Sequence, residues 1–588
     1  MHRERRSGHV VLQKMQTPIE ESVRGGHITS KFFFMVAAAA VLTLLVGTAA
    51  TQTVIQKEEG DDEGYISALP PSQIDNSGTT PGQGSPTGQG KPPRVGTNRR
   101  VNDPQQGFPK GLFGRSETTS TGTTDGQFLV FGWNDAQGFC GPPFGAACTP
   151  PTLPGLSGFG YSSDGGVTYV DGGAPPVVNH AFTRGDPWLD RGGFDNVTFY
   201  YANLSVDDRN ASNLGVSVHR GHFVGGVLNW EDIQVFNALN APNDLYDKEA
   251  IATAKDRSGA GYVTVTNFIA VCGFPQAGAG QIEFWRTHDA GASWQGPVVV
   301  SPDQTIPNDP NNPNCGSTQI LQQSSSPAIG PNGEVYVVWQ FGPTFNANLP
   351  GGLSTNADIE FARSLDGGLT FSTPVNIASI NSMRRNAPVG YNRARINDHP
   401  RVAVATSGPN KGRVYVVYYS ALAPVAAPPS TQSLTSSQVF VEFSDDQGQT
   451  WSPAIALAPA PPATGIKRWW PVVSVEPGGN VDVVYYESQE TSIGTTCNRG
   501  GRKGPAVSLV NTIWVQSTDG GSTFALPTTV STATSNWCTT VSNIVPNFGD
   551  YIGSFSGGNH LFPVWGDGRN GVPDVFTAPI LGAGKSGN

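Results

Sequence analysis

An eight-residue turn motif recurs five times along the chain, and it limits the possible folds more than any other feature. The five copies are SSDGGVTY (162–169), THDAGASW (287–294), SLDGGLTF (364–371), SDDQGQTW (444–451) and STDGGSTF (517–524). Each copy lies between two short runs rich in Val, Ile, Phe and Tyr, which is typical of a turn joining two strands. Such a recurrence predicts a repeat architecture, although a length of 588 residues would otherwise suggest several domains.

Each repeated unit contains four short strands. In one unit they read HPRVAVA (399–405), GRVYVVYY (412–419), SQVFVEF (437–443) and, after the turn, SPAIALA (452–458). A single four-stranded meander cannot bury both of its faces, but a ring of such units can stack them face to face, as in a β-propeller. Seven first strands can be placed. We therefore expect an all-β chain forming a single β-propeller with seven four-stranded blades, and six blades as the alternative.

The last unit contains only three recognisable strands. They lie at 548–555, 560–567 and 573–580, and the chain ends eight residues later. An open sheet edge would expose unpaired backbone groups and invite aggregation. The segment PPRVGTNRRV (92–101), just before the first unit, resembles a short fourth strand. We expect it to run antiparallel beside 573–580 and to close the ring as the outer strand of the last blade.

The repeated pattern, Ser/Thr-x-Asp-x-Gly-x-Thr/Ser-aromatic, resembles the Asp-box of sialidases and other BNR-repeat propellers. The resemblance implies a β-propeller and an activity on glycans. In such a turn the carboxylate accepts hydrogen bonds from backbone N–H groups, and the glycine supplies a positive φ. Five carboxylates spread around a ring cannot converge on one substrate. We therefore expect the five Asp-box residues to be structural: Asp164, Asp289, Asp366, Asp446 and Asp519.

The face opposite the Asp-box turns carries the longer loops, and long loops on a rigid scaffold are the usual place for function. Carboxylates, arginines and aromatic residues at the ends of strands on that face would suit a site for acidic sugars. The catalytic candidates are Glu249, Glu487, Tyr486, Asp186 and Asp550. The substrate-binding candidates are Arg395, His399, Arg401, Trp470 and Arg569. Other strand-end residues and basic residues near the same rim are Ser326, Arg184, Arg384, Arg385, Arg393 and Arg468.

Two functions remain open at this point. Sialidases carry an Arg-Ile-Pro element before the first box; that tripeptide does not occur in this sequence, so no catalytic residue is carried over from the family. One hypothesis is an exported, sialidase-like exo-glycosidase. The other is a non-catalytic surface propeller that binds glycan or protein. Two carboxyl groups about 5–10 Å apart beside clustered arginines would favour the enzyme.

The N-terminal part of the chain predicts export. Residues 32–50 are apolar and uncharged, which is typical of a signal or membrane-anchor segment, and 1–31 would form the basic region before it. Cleavage and retention are both open, so the protein would be secreted or anchored at the cell surface. Residues 51–91 are polar and rich in Gly and Pro, which predicts a disordered linker. The propeller is expected at 92–583, with a short tail at 584–588.

Six cysteines in an exported chain point to disulfides. Their grouping and their positions in the repeat favour three pairs, Cys140–Cys148, Cys272–Cys315 and Cys497–Cys538.

Charge and motifs limit the partners. The formal net charge of −10 provides no basic surface for nucleic acid. The histidines show no zinc-binding pattern, and no phosphate-binding loop is present, so we expect neither a metal nor a cofactor. The expected partner is a carbohydrate or a surface glycoprotein. Membrane contact would arise only through 32–50 if that segment is uncleaved, and the protein is expected to be a monomer.

Overall fold

The structure is a computed structural model in which the chain forms a seven-bladed β-propeller, so the seven-blade prediction is confirmed and the six-blade alternative is wrong. The described residues are 94–104, 112–140, 154–177, 180–192, 195, 197–207, 210–239, 244–256, 258–269, 280–306, 318–345, 353–393, 395–425, 433–490 and 507–581. Within these ranges the only helix is a 3₁₀ turn, Ala136–Cys140.

The strands are numbered in chain order, and β1 (Arg94–Val95) and β2 (Arg99–Arg100) precede the first blade. Blade 1 contains β3–β6, which span Arg115–Gly122, Leu129–Asp135, Ser157–Ser162 and Val170–Gly173. Blade 2 contains β7–β10, which span Ala181–Arg191, Thr198–Asp207, Asn210–Val224 and Val227–Asn237. Blade 3 contains β11–β14, which span Leu245–Thr253, Gly261–Phe268, Gln281–Thr287 and Gln295–Ser301. Blade 4 contains β15–β18, which span Gln319–Ile329, Val335–Phe345, Asn356–Ser364 and Val375–Asn381.

The remaining blades follow the same antiparallel order. Blade 5 contains β19–β22, which span Arg401–Val404, Val414–Ala421, Ser437–Ser444 and Ile455–Ala456. Blade 6 contains β23–β27, which span Ile466–Val475, Val481–Glu490, Ser508–Ser517, Thr528–Thr529 and Ser535–Asn536. Blade 7 contains β28–β31, which span Gly553–Gly557, His560–Asp567, Asp574–Thr577 and Ile580–Leu581.

The N-terminal segment closes the ring, as predicted. Arg99 pairs with Thr577 and Arg100 with Phe576, so β2 is the outer strand of blade 7. The preceding strand β1 pairs with β31 in the same antiparallel sense. Between these pairs, Asn98 donates to the carbonyl of Val530 in the neighbouring blade at 2.9 Å. The chain start therefore completes blade 7 and also ties it to blade 6.

Each Asp-box turn has the same internal hydrogen bonds. In the copy at 364–371, the Ser364 hydroxyl donates to Asp366 at 2.7 Å and accepts the N–H of Gly368 at 2.8 Å. The Asp366 carboxylate also accepts the N–H and the hydroxyl of Thr370. Gly368 has a φ of +82°, a value that an L side chain rarely adopts. The carboxylate therefore accepts these hydrogen bonds from groups of its own turn.

The turns also join neighbouring blades, which the sequence did not indicate. A Cβ atom added to Gly448 in blade 5 would lie 2.3 Å from the ring of Phe361 in blade 4. In the same turn, Arg363 of blade 4 donates to the carbonyl of Gln447 at 2.8 Å. The ring of Trp451 packs edge-to-face on Phe361, with centroids 5.1 Å apart. The glycine and the aromatic residue of the motif therefore belong to the interface between blades.

Candidate functional site

The first strand of five blades carries a non-glycine residue with positive φ at the same point. The register shifts there, so each strand has a bulge that turns one side chain out of the ladder. These residues are Glu117 (φ 52°), Asp186 (55°), Lys248 (49°), Ser324 (63°) and Trp470 (48°). Positive φ is costly for such residues, and strain of this kind clusters at functional sites.

Lys248 connects carboxylates from three other blades. Its Nζ lies 3.2 Å from Glu117 Oε1, 2.7 Å from Asp186 Oδ2 and 3.2 Å from Asp550 Oδ2. Residues from blades 1, 2, 3 and 7 can meet in this way only at the axis of the ring. We call these four residues the axial cluster. Because the three oxygens share one nitrogen, any two of them lie no more than about 6.4 Å apart, a limit that includes the separation of about 5–5.5 Å found in retaining glycosidases.

Asp550 is the most strongly bound carboxylate of the axial cluster. Besides Lys248, it pairs with Arg393 and accepts the hydroxyl of Tyr391 at 3.0 Å. Burial alone would raise the pKa of Asp550, but Arg393 and Lys248 outweigh burial and lower it far below its usual value. Asp550 is therefore ionised at any physiological pH.

His399 and Arg401 lie beside the axial cluster. The guanidinium of Arg401 lies 4.4 Å from the centre of the Trp188 ring and 5.2 Å from that of Tyr551. Burial lowers the pKa of His399 well below its usual value, so the ring is neutral. No described residue hydrogen-bonds either ring nitrogen of His399. A buried imidazole without a partner is costly, which is a mark of a site that binds something.

One segment covers the cluster from the side of the long loops. Residues 382–393 run from blade 4 across to blades 6 and 7, where Asn392 donates its side-chain amide to the carbonyl of Ile544 at 2.8 Å. Asn392 also accepts the N–H of Asn547 at 2.7 Å. Tyr391 in this segment packs on Trp470, with ring centroids 5.9 Å apart. The segment places Tyr391 and Arg393 directly on Asp550.

The candidate residues divide into two groups by position. Asp186, Asp550, His399 and Arg401 come together at the axis with Glu249, and Trp470 joins them through Tyr391. Arg395 is buried nearby and donates to Asn397 at 2.6 Å. Arg384 and Arg385 belong to the covering segment, Arg184 lies in β7 and Ser326 lies in β15 beyond the bulge.

Three candidates lie away from this cluster for physical reasons. Tyr486 is buried against Trp469 and Trp537 and donates its hydroxyl to the carbonyl of Gly566 at 2.8 Å, so it fastens blade 6 to blade 7. Glu487 pairs with Arg468 across β23 and β24 at 2.7 Å.

The third, Arg569, belongs to the ring closure. It pairs with Asp567 at 2.6 Å and donates to Asn98 of the closing segment at 2.9 Å. Its guanidinium also lies over the Phe576 ring of β30. Arg569 is therefore held at the outer part of blade 7, away from the axis.

Sequence reasoning missed Glu117 and Lys248. Both lie in first strands of their blades, Glu117 in GRSETTS (114–120) of blade 1 and Lys248 in KEAIATA (248–254) of blade 3. At the bulge, Lys248 and not Glu249 contacts the carboxylates of the neighbouring blades. Comparing Lys248 with Asp186 and Trp470 could have identified it, because each of the three lies two residues before the point at which strand pairing resumes.

Several expectations lie outside the described residues. These include segment 32–50, the side chains of Cys140, Cys148, Cys272, Cys315 and Cys497, and much of the long-loop face. Over the described ranges, no helix is long and apolar enough to cross a membrane. Those ranges also contain no group of three or more His, Cys, Asp or Glu side chains arranged to hold a metal ion.

A family model for the BNR/Asp-box repeat matches residues 442–453. The match spans the turn of blade 5, so the resemblance to Asp-box propellers is confirmed. A comparison with curated proteins found no match.

Several solved structures are similar to this chain at low identity. An α-L-arabinanase of Penicillium chrysogenum, complexed with arabinobiose, is 14% identical with a TM-score of 0.39, over 67% of this chain and 94% of that one. A GH93 α-L-arabinofuranosidase of Fusarium graminearum is 14% identical with a TM-score of 0.38, over 66% and 92%. The sialidase of Trypanosoma rangeli is 11% identical with a TM-score of 0.36, over 82% and 59%.

Proposed function

We propose that this Asp-box propeller acts on glycans as a glycoside hydrolase, with its reaction centre at the axial cluster. The observation that carries the proposal is the convergence of Glu117, Asp186 and Asp550 on Lys248. Glycoside hydrolysis needs two carboxyl groups on opposite sides of one bond, and their separation is usually 5–10 Å.

The surroundings of the cluster suit this chemistry. Arg393 and Lys248 hold Asp550 ionised, so it can stabilise the positive charge that develops on the sugar ring. The Arg401 guanidinium lies over the rings of Trp188 and Tyr551 and adds a further cation beside the cluster. Burial strengthens each of these electrostatic interactions.

The second candidate function is a non-catalytic propeller that binds glycan or protein. It is favoured by the burial of the axial cluster, since Glu117, Asp186, Lys248 and Asp550 are each no more than 3% exposed. In that case the cluster would hold the blades together, and ligand would bind on the face above it.

The proposal also includes export, three disulfides and a monomeric state. Export is supported by the apolar segment 32–50, and the disulfides are supported by the positions of the six cysteines.

A paired screen separates the two functions. The purified full-length chain would be incubated with a panel of fluorogenic glycosides and, in parallel, applied to a glycan array. We expect turnover of at least one glycoside. Glycan binding without turnover of any matching glycoside would favour the non-catalytic function, and neither binding nor turnover would reject both.

A further inference from the structure

Glu249 is a buried acidic residue next to the axial cluster that does not belong to it. It follows Lys248 in β11, at the bulge, and only 2% of its surface is exposed. Neither of its carboxyl oxygens has a hydrogen-bond partner among the described residues. A buried ionised carboxylate without a partner would be very costly, so the neutral, protonated form is favoured.

The groups around Glu249 favour the same state. Asp186 of β7, Tyr201 of β8 and Tyr551 before β28 interact electrostatically with Glu249, while Asp247 and Lys248 are its neighbours in β11. Burial raises the pKa of Glu249 well above its usual value, and the negative charge of Asp186 raises it further. The one cation in this set, Lys248, is already shared among three other carboxylates.

The three acidic residues of the axial cluster differ from Glu249 because each has a cationic partner. Glu117, Asp186 and Asp550 each contact the Lys248 ammonium, and Asp550 contacts Arg393 as well. A buried carboxyl group without a hydrogen-bond partner therefore lies next to carboxylates that share a cation, one of which, Asp550, is held ionised. Such a division is how enzymes provide an acid and a base at one pH.

We propose that Glu249 is the proton donor of the axial site, an inference that rests on the proposed glycoside hydrolase function. The Glu249 carboxyl gives its proton to the glycosidic oxygen as the bond from that oxygen to the sugar carbon breaks. The bonding electron pair leaves with the oxygen, which departs as an alcohol. Water then bonds to the sugar carbon, and its proton is taken by an ionised carboxylate of the axial cluster.

The test uses two glycosides of the same sugar, one with an activated dinitrophenyl leaving group and one with an alkyl leaving group that needs protonation. Glu249→Gln should reduce kcat/KM on the alkyl glycoside by about 100-fold or more and on the dinitrophenyl glycoside by much less. Glu249→Leu should behave similarly. Equal losses on both substrates, or no loss on either, would overturn the assignment.

The matched control is Glu360→Gln. Burial, together with Asp358, raises the pKa of Glu360 to about 7, but this residue lies in β17 of blade 4 and takes no part in the site. This variant should keep the parent's kcat/KM on both substrates. A selective loss on the alkyl glycoside in Glu360→Gln would show that the effect is not specific to Glu249 and would also overturn the proposal.

Infrared spectroscopy tests the protonation state without relying on turnover. Because burial also raises the pKa of Asp482, the spectra are compared by difference. At mildly alkaline pH the parent-minus-Glu249→Gln spectrum should show the carbonyl stretch of a protonated carboxyl group, and the parent-minus-Glu360→Gln spectrum should lack it. If that band is absent from the parent-minus-Glu249→Gln spectrum, Glu249 is ionised and cannot be the donor. If the band is present but the parent hydrolyses no glycoside, the proposed function fails and the donor role fails with it, while a buried neutral acid is established.

Discussion

The ammonium group of Lys248 lies 2.7 Å from the carboxylate of Asp186, and this contact joins blade 3 to blade 2 at the propeller axis. Both residues have positive φ, 49° and 55°, at the bulges of their first strands. The two residues with strained backbone are therefore the same two residues whose opposite charges meet. Blades 1 and 7 add Glu117 and Asp550 to the same ammonium.

Replacing Lys248 should be strongly destabilising. Lys248→Met would leave three buried carboxylates without their shared cation, and breaking a buried ion pair typically costs about 3–5 kcal/mol. Denaturant unfolding monitored by tryptophan fluorescence would measure the loss. Lys411→Met, at an exposed lysine, is the control and should change stability by less than about 0.5 kcal/mol. A Lys248→Met protein as stable as this control would show that the carboxylates are compensated in another way.

Acid should weaken the Asp-box turns over a defined range of pH. The hydroxyl and the N–H of Thr450 lower the pKa of Asp446 to about 2, from 3.8 in an unfolded chain. A lowered pKa contributes stability above the unfolded value, and that contribution is lost as pH falls from about 4 to 2. Thermal melts across this range should show a smaller acid-induced loss in Asp446→Ala than in the parent.

At neutral pH the same substitution, Asp446→Ala, should cost about 1 kcal/mol, because the exposed N–H groups of Gln449 and Thr450 exchange the carboxylate for water. Gln449→Ala, at an exposed side chain in the same turn, is the control. Glycan binding or turnover should be unchanged in a folded Asp446→Ala protein. Normal stability with abolished function would give this carboxylate a functional role.

Ring closure predicts a large difference between two truncations. A chain starting at residue 91 keeps β1 and β2, whereas a chain starting at 103 removes both and exposes the edge formed by Asp574–Thr577. The shorter chain should melt at a much lower temperature, because the outer strand of blade 7 and the Asn98 contacts with blade 6 are lost. Equal melting temperatures for the two chains would mean that the ring does not depend on this closure.

The disulfide pattern is a separate prediction. Non-reduced peptide mapping should link Cys140 to Cys148, Cys272 to Cys315 and Cys497 to Cys538. Removing one such loop-closing bond should cost roughly 2–4 kcal/mol. Cys538 is buried beside Val389, a residue of the segment that covers the axial cluster. A link between Cys148 and Cys272 would contradict the assignment.

The fold could be predicted from the sequence because the same four-strand pattern and turn motif occur several times along the chain. Pro187, Pro327, Pro400 and Pro471 mark equivalent first strands, and three strands in the last unit require a fourth. The closing segment followed from that requirement. The contacts between blades, such as Gly448 on Phe361, could not be predicted, since they depend on how two units pack and not on the pattern within one unit.

The site could be predicted only in part. Asp186, His399 and Asp550 were found because strand ends converge at the axis. Lys248 was missed because nothing in the local sequence indicates a bulge or a positive φ at a lysine. Tyr486 and Glu487 also lie at a strand end, but their strand, β24, is the second strand of blade 6 and not the first strand, which lies nearest the axis. Tyr486 there packs against the next blade.

The most direct test of the central claim is the effect of Asp550→Asn and Asp186→Asn on glycoside hydrolysis by the full-length chain. Both variants keep the size of the side chain and remove one negative charge next to Lys248. With the glycoside that the parent hydrolyses best, kcat should fall by about 100-fold or more in each, with a folded propeller verified by circular dichroism. The account is contradicted if both folded variants retain the parent's kcat.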